Sequence, residues 1–256
     1  FLQEASYKLS FLLNLFSVIT TLLTYYFIDK LFGYKMTSYL NEFGVNYFPY
    51  VLLSQALFSY IGIGIGSFSS RIRLEQVQGT LESLLATPTE PYIILIGMGL
   101  WNMIIASINC LIYLAAGVFI FKIDFSNFNF LSTSLILLLT ITSFSGLGIL
   151  SASFIIIFKR GNPVGWMMNI LEGTLGGVYF PVTVMPSALL IAAKFLPITY
   201  AVRAVELAVY RGYSPVQLKT ELGFLLLFSL LLLPLGLKSF KWALEKAKRS
   251  GTLSQY

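Results

Sequence analysis

No histidine occurs anywhere in the 256 residues. The commonest general base and the commonest transition-metal ligand are therefore missing, which excludes Ser-His-Asp and Cys-His hydrolysis and the HExxH metal site. Cysteine occurs once, as Cys110 between Asn109 and Leu111. Alone it can close no disulfide within the chain and has no partner for a metal site, so redox compartment cannot be read from it. Charge is scarce as well: Asp, Glu, Lys and Arg make up 11% of the chain, against roughly a quarter in soluble domains. With 57% hydrophobic residues, the chain cannot cover itself with polar surface, and lipid is the expected solvent. The phosphate-cradling GxxxxGK[ST] loop is also absent, so no ATP site is expected in this chain. Gly62-Ile63-Gly64-Ile65-Gly66 is no substitute, because it lies in an apolar run where Gly62 and Gly66 share one face and suit close helix packing. The net charge of +6 is scattered, with many basic residues near predicted span ends, so nucleic acid is not an expected partner.

Uncharged runs long enough to cross a bilayer, which takes about 20 residues, recur along the chain. An all-α integral membrane fold of six spans is predicted, near residues 9–28, 48–69, 92–121, 130–158, 164–180 and 220–237, in a single domain covering 1–256. Pro49 suits a first helical turn. Only Glu172 interrupts the fifth span, and the short last one can be extended by Lys219 and Lys238 snorkelling to opposite interfaces. With the N-terminus inside, ten Lys and Arg residues fall at inner ends and seven at outer ends. Both termini are therefore expected in the cytoplasm of a cell-membrane protein. The chain begins with Phe1 rather than Met, so a preceding segment is expected.

Between spans 2 and 3, Leu74, Val77, Leu81, Leu84 and Leu85 recur at three-and-four spacing, with Arg71, Glu75, Gln78 and Glu82 opposite. An amphipathic cytoplasmic helix over 71–85 is predicted, stopped by Thr87-Pro88, with Thr89-Glu90-Pro91 starting the next span. A helix lying on lipid favours Lys and Arg on its polar face. This face mixes signs, which suits a protein partner, and Arg73 and Thr80 complete the candidate contact set. Residues 181–212 are too apolar for a solvated loop, yet carry Pro181, Pro186, Pro197, Lys194, Arg203 and Glu206. Two short helices starting at Pro186 and Pro197 are predicted, dipping into the outer leaflet as a re-entrant segment between spans 5 and 6.

Residues Gly79-Thr80-Leu81-Glu82, followed by Leu84-Leu85 and Thr87-Pro88, resemble the cytoplasmic signature of ABC-2 type permeases. So do Gly177-Val178-Tyr179-Phe180-Pro181-Val182 with Met185-Pro186 and Leu196-Pro197-Ile198-Thr199-Tyr200. The resemblance extends over nearly the whole chain and lies closer to drug and antibiotic exporters than to O-antigen polysaccharide exporters. It implies a dimer of permeases, homodimeric or heterodimeric, on two copies of an ATP-binding cassette ATPase subunit. ATP and Mg would bind in that partner, and no cofactor in this chain. It further implies that the inner loop, with Arg71, Arg73, Glu75, Gln78, Thr80, Leu81, Glu82 and Leu85, is the coupling element, and that Phe1 to Lys8 is the tail of an amphipathic helix along the membrane.

Several spans carry a polar stripe: Asn14, Ser17, Thr21 and Thr24 in the first, Asn102, Ala106, Asn109 and Tyr113 in the third, and Gly165, Asn169, Glu172, Gly176 and Tyr179 in the fifth. These faces are expected to meet protein or a water-filled path, since an unpaired polar group in lipid costs on the order of several kcal/mol. Ordinary helix packing accounts for Ser, Thr and Gly. A mid-span carboxylate costs about 2.5–3.5 kcal/mol on insertion scales, so Glu172 is a candidate for the substrate path or a dimer seam, with Asn169, Gly173, Gly176, Tyr179 and Phe180. The alternative is structural pairing with Asn169 or a neighbouring helix. A channel or ion-coupled transporter would generally use several intramembrane ionisable groups, and a membrane transferase would need clustered carboxylates or His. The solute, whether drug, lipid or lipid-linked glycan, is not encoded in any motif.

Overall fold

A computed structural model of the chain describes residues 8–85, 87, 91–159 and 162–250; among these, some helical side chains, including those of Asn14, Leu85 and Asn102, lie outside the description. The described residues are mostly helical and include no strand. In chain order the helices are α1 (Lys8–Leu40), α2 (Tyr47–Val77), α3 (Leu81–Leu85), α4 (Pro91–Phe119), α5 (Phe130–Phe158) and α6 (Pro163–Leu175). After a 3-10 turn at Val182–Val184 come α7 (Ser187–Ala193), α8 (Pro197–Tyr210) and α9 (Lys219–Arg249).

Four of these are long and apolar enough to cross a bilayer: Leu15–Leu40 of α1, α2, α5 and α9. The pair α7 and α8, bent by 88°, makes a fifth if counted as one broken span. That is fewer than the six expected. Helix α4 has 29 residues, but its described apolar part is Ile104–Phe119, most of the side chains before it lying outside the description. Helix α6 has 13 residues, about 20 Å at 1.5 Å per residue, against a hydrocarbon core of about 30 Å. The span expected at 164–180 thus stops at Leu175. Gly177, at φ +86°, takes a left-handed turn that glycine adopts without strain, and Pro181 cannot continue a helix. Elsewhere the helices outrun the expected spans: α1 passes Asp29 and Lys30 to reach Leu40, and α9 continues to Arg249. Glu221 in the first turn of α9 and Lys246, Lys248 and Arg249 in its last oppose the helix dipole at both ends.

Helices α2 and α5 are central. Helix α2 packs on α1, α4, α5 and α8, while α5 packs along α9. Gly146 and Gly236 set the α5–α9 crossing, since a Cβ on Gly146 would lie 2.4 Å from the Leu232 carbonyl carbon and one on Gly236 2.6 Å from the Gly146 oxygen. The helix backbones are in direct contact there, as small residues permit. One core lies around α8, where Tyr50, Val51 and Leu57 of α2 meet Ile136 of α5 and Val202 and Val205 of α8. A second lies at the other end, with Phe68 and Ile72 of α2, Ile155 and Ile156 of α5, and Phe240 and Leu244 of α9. Helix α1 rests on the outside of α2 and presents Phe16, Leu23, Phe27 and Leu31 to the surroundings.

Candidate transport and coupling sites

Residues 71–77 are the last two turns of α2, a 31-residue helix, rather than the start of a separate amphipathic one. The helix ends in a Schellman motif: Gly79, at φ +70°, donates to the Gln76 carbonyl (3.1 Å), and Thr80 N–H donates to the Glu75 carbonyl (3.0 Å). The chain then reverses into α3, which docks Leu81 into the core with Phe68 and Ile72. This break shifts the phase of the faces. Leu81 is buried, whereas Leu74 and Val77 are 38% and 58% exposed. Glu75, expected on the free polar face, is only 7% exposed and turns inward. Its carboxylate accepts from Arg71 Nη2 at 2.9 Å and from Thr80 Oγ1 at 2.5 Å. Arg71, Arg73, Gln78, Thr80 and Glu82 remain exposed. The side chain of Leu85 and residues 88–90, where the helix stop and the next cap were expected, lie outside the described residues, as do residues 1–7 of the expected N-terminal helix tail.

Several fifth-span candidates pack against α2 and α8 of the same chain, each through its own contact. Glu172 is 1% exposed, and its Oε2 accepts from the Ile198 backbone N–H at 3.3 Å. The α8 N-cap residue, Leu196, has no side-chain cap bond, so a carboxylate from α6 takes the place of the capping oxygen at the positive end of the helix. Glu172 Oε1 has no hydrogen-bond partner. Asn169 donates to the Gly165 carbonyl at 3.3 Å. A Cβ on Gly173 would lie 3.0 Å from the Phe58 ring, and one on Gly176 2.1 Å from Ile198 Cγ2. This glycine face is thus filled by α2 and α8 of the same chain. The Tyr47 and Tyr50 hydroxyls donate to the carbonyls of Tyr179 (3.0 Å) and Gly177 (2.5 Å). Half-buried Phe180 follows immediately. In the third span, Ala106, Asn109 and Tyr113 are buried, so that polar stripe faces protein; Asn14 and Asn102 lie outside the described side chains.

Two further residues in this region were not among the candidates. Glu206 on α8 is 0% exposed; its Oε1 accepts from Ser54 Oγ at 2.8 Å, and its Oε2 has no partner. The signal was present, since positions 202, 205, 206 and 209 form one helical face and the other three are valines. Asn162 falls between the spans expected at 130–158 and 164–180. Its Oδ1 caps α6 through Gly165 N–H (2.8 Å) and accepts from Ser151 Oγ, while its Nδ2 donates to Ser69 Oγ at 2.8 Å. One side chain thereby joins α2, α5 and α6.

The family model described as ABC-2 type transporter matches residues 5–210. The chain belongs to the ABC-2 type transporter family. No curated protein matches it. As an ABC-2 permease the chain is a multi-pass membrane subunit of an ATP-binding cassette transporter, with the ATPase in a partner chain. The matched interval ends with α8 and contains both the α2–α3 corner and the Glu172 network.

At the opposite end of the permease from that corner, Arg203 bridges two carboxylates, donating to Glu221 (2.8 Å) and to Glu42 (2.5 Å). Arg211 donates to the carbonyls of Glu42 (3.1 Å) and Asn41 (2.8 Å), and Tyr210 OH to that of Pro49 (2.8 Å). Helix α8 is therefore tied to the α1–α2 connection and to the start of α9. A cavity of about 420 Å³ opens beside Arg203.

Proposed function

We propose that this permease exports a hydrophobic or amphipathic solute, such as a drug, a lipid or a lipid-linked glycan, out of the cytoplasm. It does so as a two-fold dimer, either with a second copy or with a related permease. Two ATPase subunits bind ATP and Mg, and this chain binds no cofactor. Both termini face the cytoplasm of the cell membrane. Helices α1, α2, α4, α5 and α9, with α6 and its glycine-rich extension, make six crossings, and α7 and α8 form a re-entrant segment on the outer side.

The observation that carries this reading is the continuity of α2. A rigid-body movement of a soluble ATPase tilts a span only through a stiff element joined to it, and α2 runs unbroken to Val77 before turning at Gly79. Leu74 and Val77 offer an exposed apolar anchor, ringed by Arg71, Arg73, Gln78, Thr80 and Glu82, with Leu85 close by in sequence. Leu81 and Glu75 hold the corner in shape. For the dimer seam, the exposed Trp166, Met167 and Ile170 of α6 are better placed than its inward glycines, and the Glu172 network behind them borders the path. Symmetric pairing is the commonest closure of such assemblies.

Export is tested with inside-out vesicles containing the permease and its ATPase. ATP-dependent uptake of at least one of a drug, a fluorescent lipid or a glycolipid is expected, together with cross-linking of Ile170→Cys across the dimer. Uptake only in right-side-out vesicles contradicts the direction, and lipid labelling of Ile170→Cys without cross-linking contradicts the seam.

A further inference from the structure

The cavity beside Arg203 is walled by the α1–α2 connection, residues 176–183, α7, α8 and the start of α9. The aromatic rings of Tyr39, Phe43, Tyr200 and Phe224 line it, with Tyr200 and Phe224 stacked at 4.4 Å. Tyr39 and Phe224 are also exposed, so the cavity opens at the surface of the bundle. Its volume is within the roughly 300–1,000 Å³ of small-molecule sites, enough for a headgroup and the first part of a chain. Two cations line it, and they differ in state. Arg203 is held between Glu42 and Glu221. Lys194 lines the same space, and its ammonium has no carboxylate partner among the described residues. Its backbone carbonyl accepts from Tyr200 OH at 2.9 Å, which ties the residue to the aromatic wall.

We propose that this cavity binds an amphiphile with an anionic headgroup, the phosphate or carboxylate pairing with Lys194 and the apolar part lying against Tyr39, Tyr200 and Phe224. A lone ammonium beside an apolar wall favours an anion, because charge-assisted contacts strengthen where water is partly excluded. A phospholipid of the adjacent leaflet and a soluble alkyl carboxylate share this chemistry. The cavity lies within one protomer and shares Gly176 with the path candidates proposed above.

The full chain, purified in neutral detergent and stripped of lipid, is titrated with phosphatidylglycerol, phosphatidylcholine and oleate, with binding read by native mass spectrometry and thermal shift. Phosphatidylglycerol or oleate should bind about tenfold more tightly than phosphatidylcholine, whose quaternary ammonium offsets its own phosphate and is repelled by Lys194. Lys194→Arg should keep the preference, Lys194→Gln should lose it, and Leu190→Trp, which fills the cavity, should abolish binding of the preferred ligand. Lys194 is exposed, so its variants should fold. Preference for phosphatidylglycerol alone assigns a membrane lipid, and for oleate alone a soluble amphiphile; either supports the site. Equal affinity for all three in the parent overturns it, as does a preference that survives Lys194→Gln or Leu190→Trp. Because no ATPase is present, failure here leaves the exporter reading untouched.

Discussion

Glu75→Lys should destabilise the permease itself, whereas Glu82→Lys should leave its stability unchanged and act on assembly with the ATPase. The Glu75 carboxylate lies 2.9 Å from Arg71 Nη2 and 2.5 Å from Thr80 Oγ1. An i,i+4 ion pair with a partly exposed arginine contributes about 0.3–0.5 kcal/mol, and like charges at that spacing cost about as much. A hydrogen bond to a charged group contributes about 1.5–3 kcal/mol. The reversal therefore costs about 2–4 kcal/mol, a melting shift on the order of 4–16 °C for a chain of this size. Glu82 is exposed on the first turn of α3 and has no ion pair among the described residues, so inverting its charge breaks no ion pair described within the chain and should act on assembly. Thermal unfolding of the purified chain and pull-down of the ATPase separate the two effects. Glu75→Gln, whose amide oxygen still accepts from Thr80, should lose less than half as much as Glu75→Lys. If Glu75→Lys melts with the parent while Glu82→Lys melts early, the corner is not organised as described.

Glu172→Gln keeps an acceptor for Ile198 N–H, so it should fold like the parent and alter transport. Glu172→Ala leaves that buried N–H unpaired and should cost about 1–3 kcal/mol; transport by Glu172→Gln unchanged for the true solute across pH would assign Glu172 a structural role alone. Gly146→Ala forces a methyl to within 2.4 Å of the α9 backbone and should lower stability by about 1–3 kcal/mol. Gly236→Ala strains the same crossing, so the double variant should melt well above the additive expectation.

Apolar runs made the long helices legible, because a backbone in lipid must satisfy its hydrogen bonds within a helix. Helix ends were less so. A charge marks where hydrophobicity stops, not where a helix stops, and α1 and α2 pass Asp29 and Arg71 without a break. Gly79 was the missed stop signal. Leucine and valine at three-and-four spacing on both sides of it imitate one continuous face, while the Schellman turn sends Leu81 inward and leaves Val77 outside. Gly173 and Gly176 were expected at the path or a dimer seam; periodicity gives no partner for such a face, and here Phe58 and Ile198 of the same chain lie against it. Glu206 pairs with Ser54 across 152 positions, a separation that no local pattern reports. The corner residues and Glu172 were legible as candidates because their residue types were out of place for lipid or loop.

The most direct test of the account is ATP hydrolysis by the purified chain, measured alone and after co-purification with an ATP-binding cassette subunit. The chain alone should not hydrolyse ATP, and the complex should show solute-stimulated hydrolysis that Glu82→Lys weakens. Hydrolysis by the pure chain, or failure of any cassette subunit to associate with it, would contradict a permease that draws its energy from a partner.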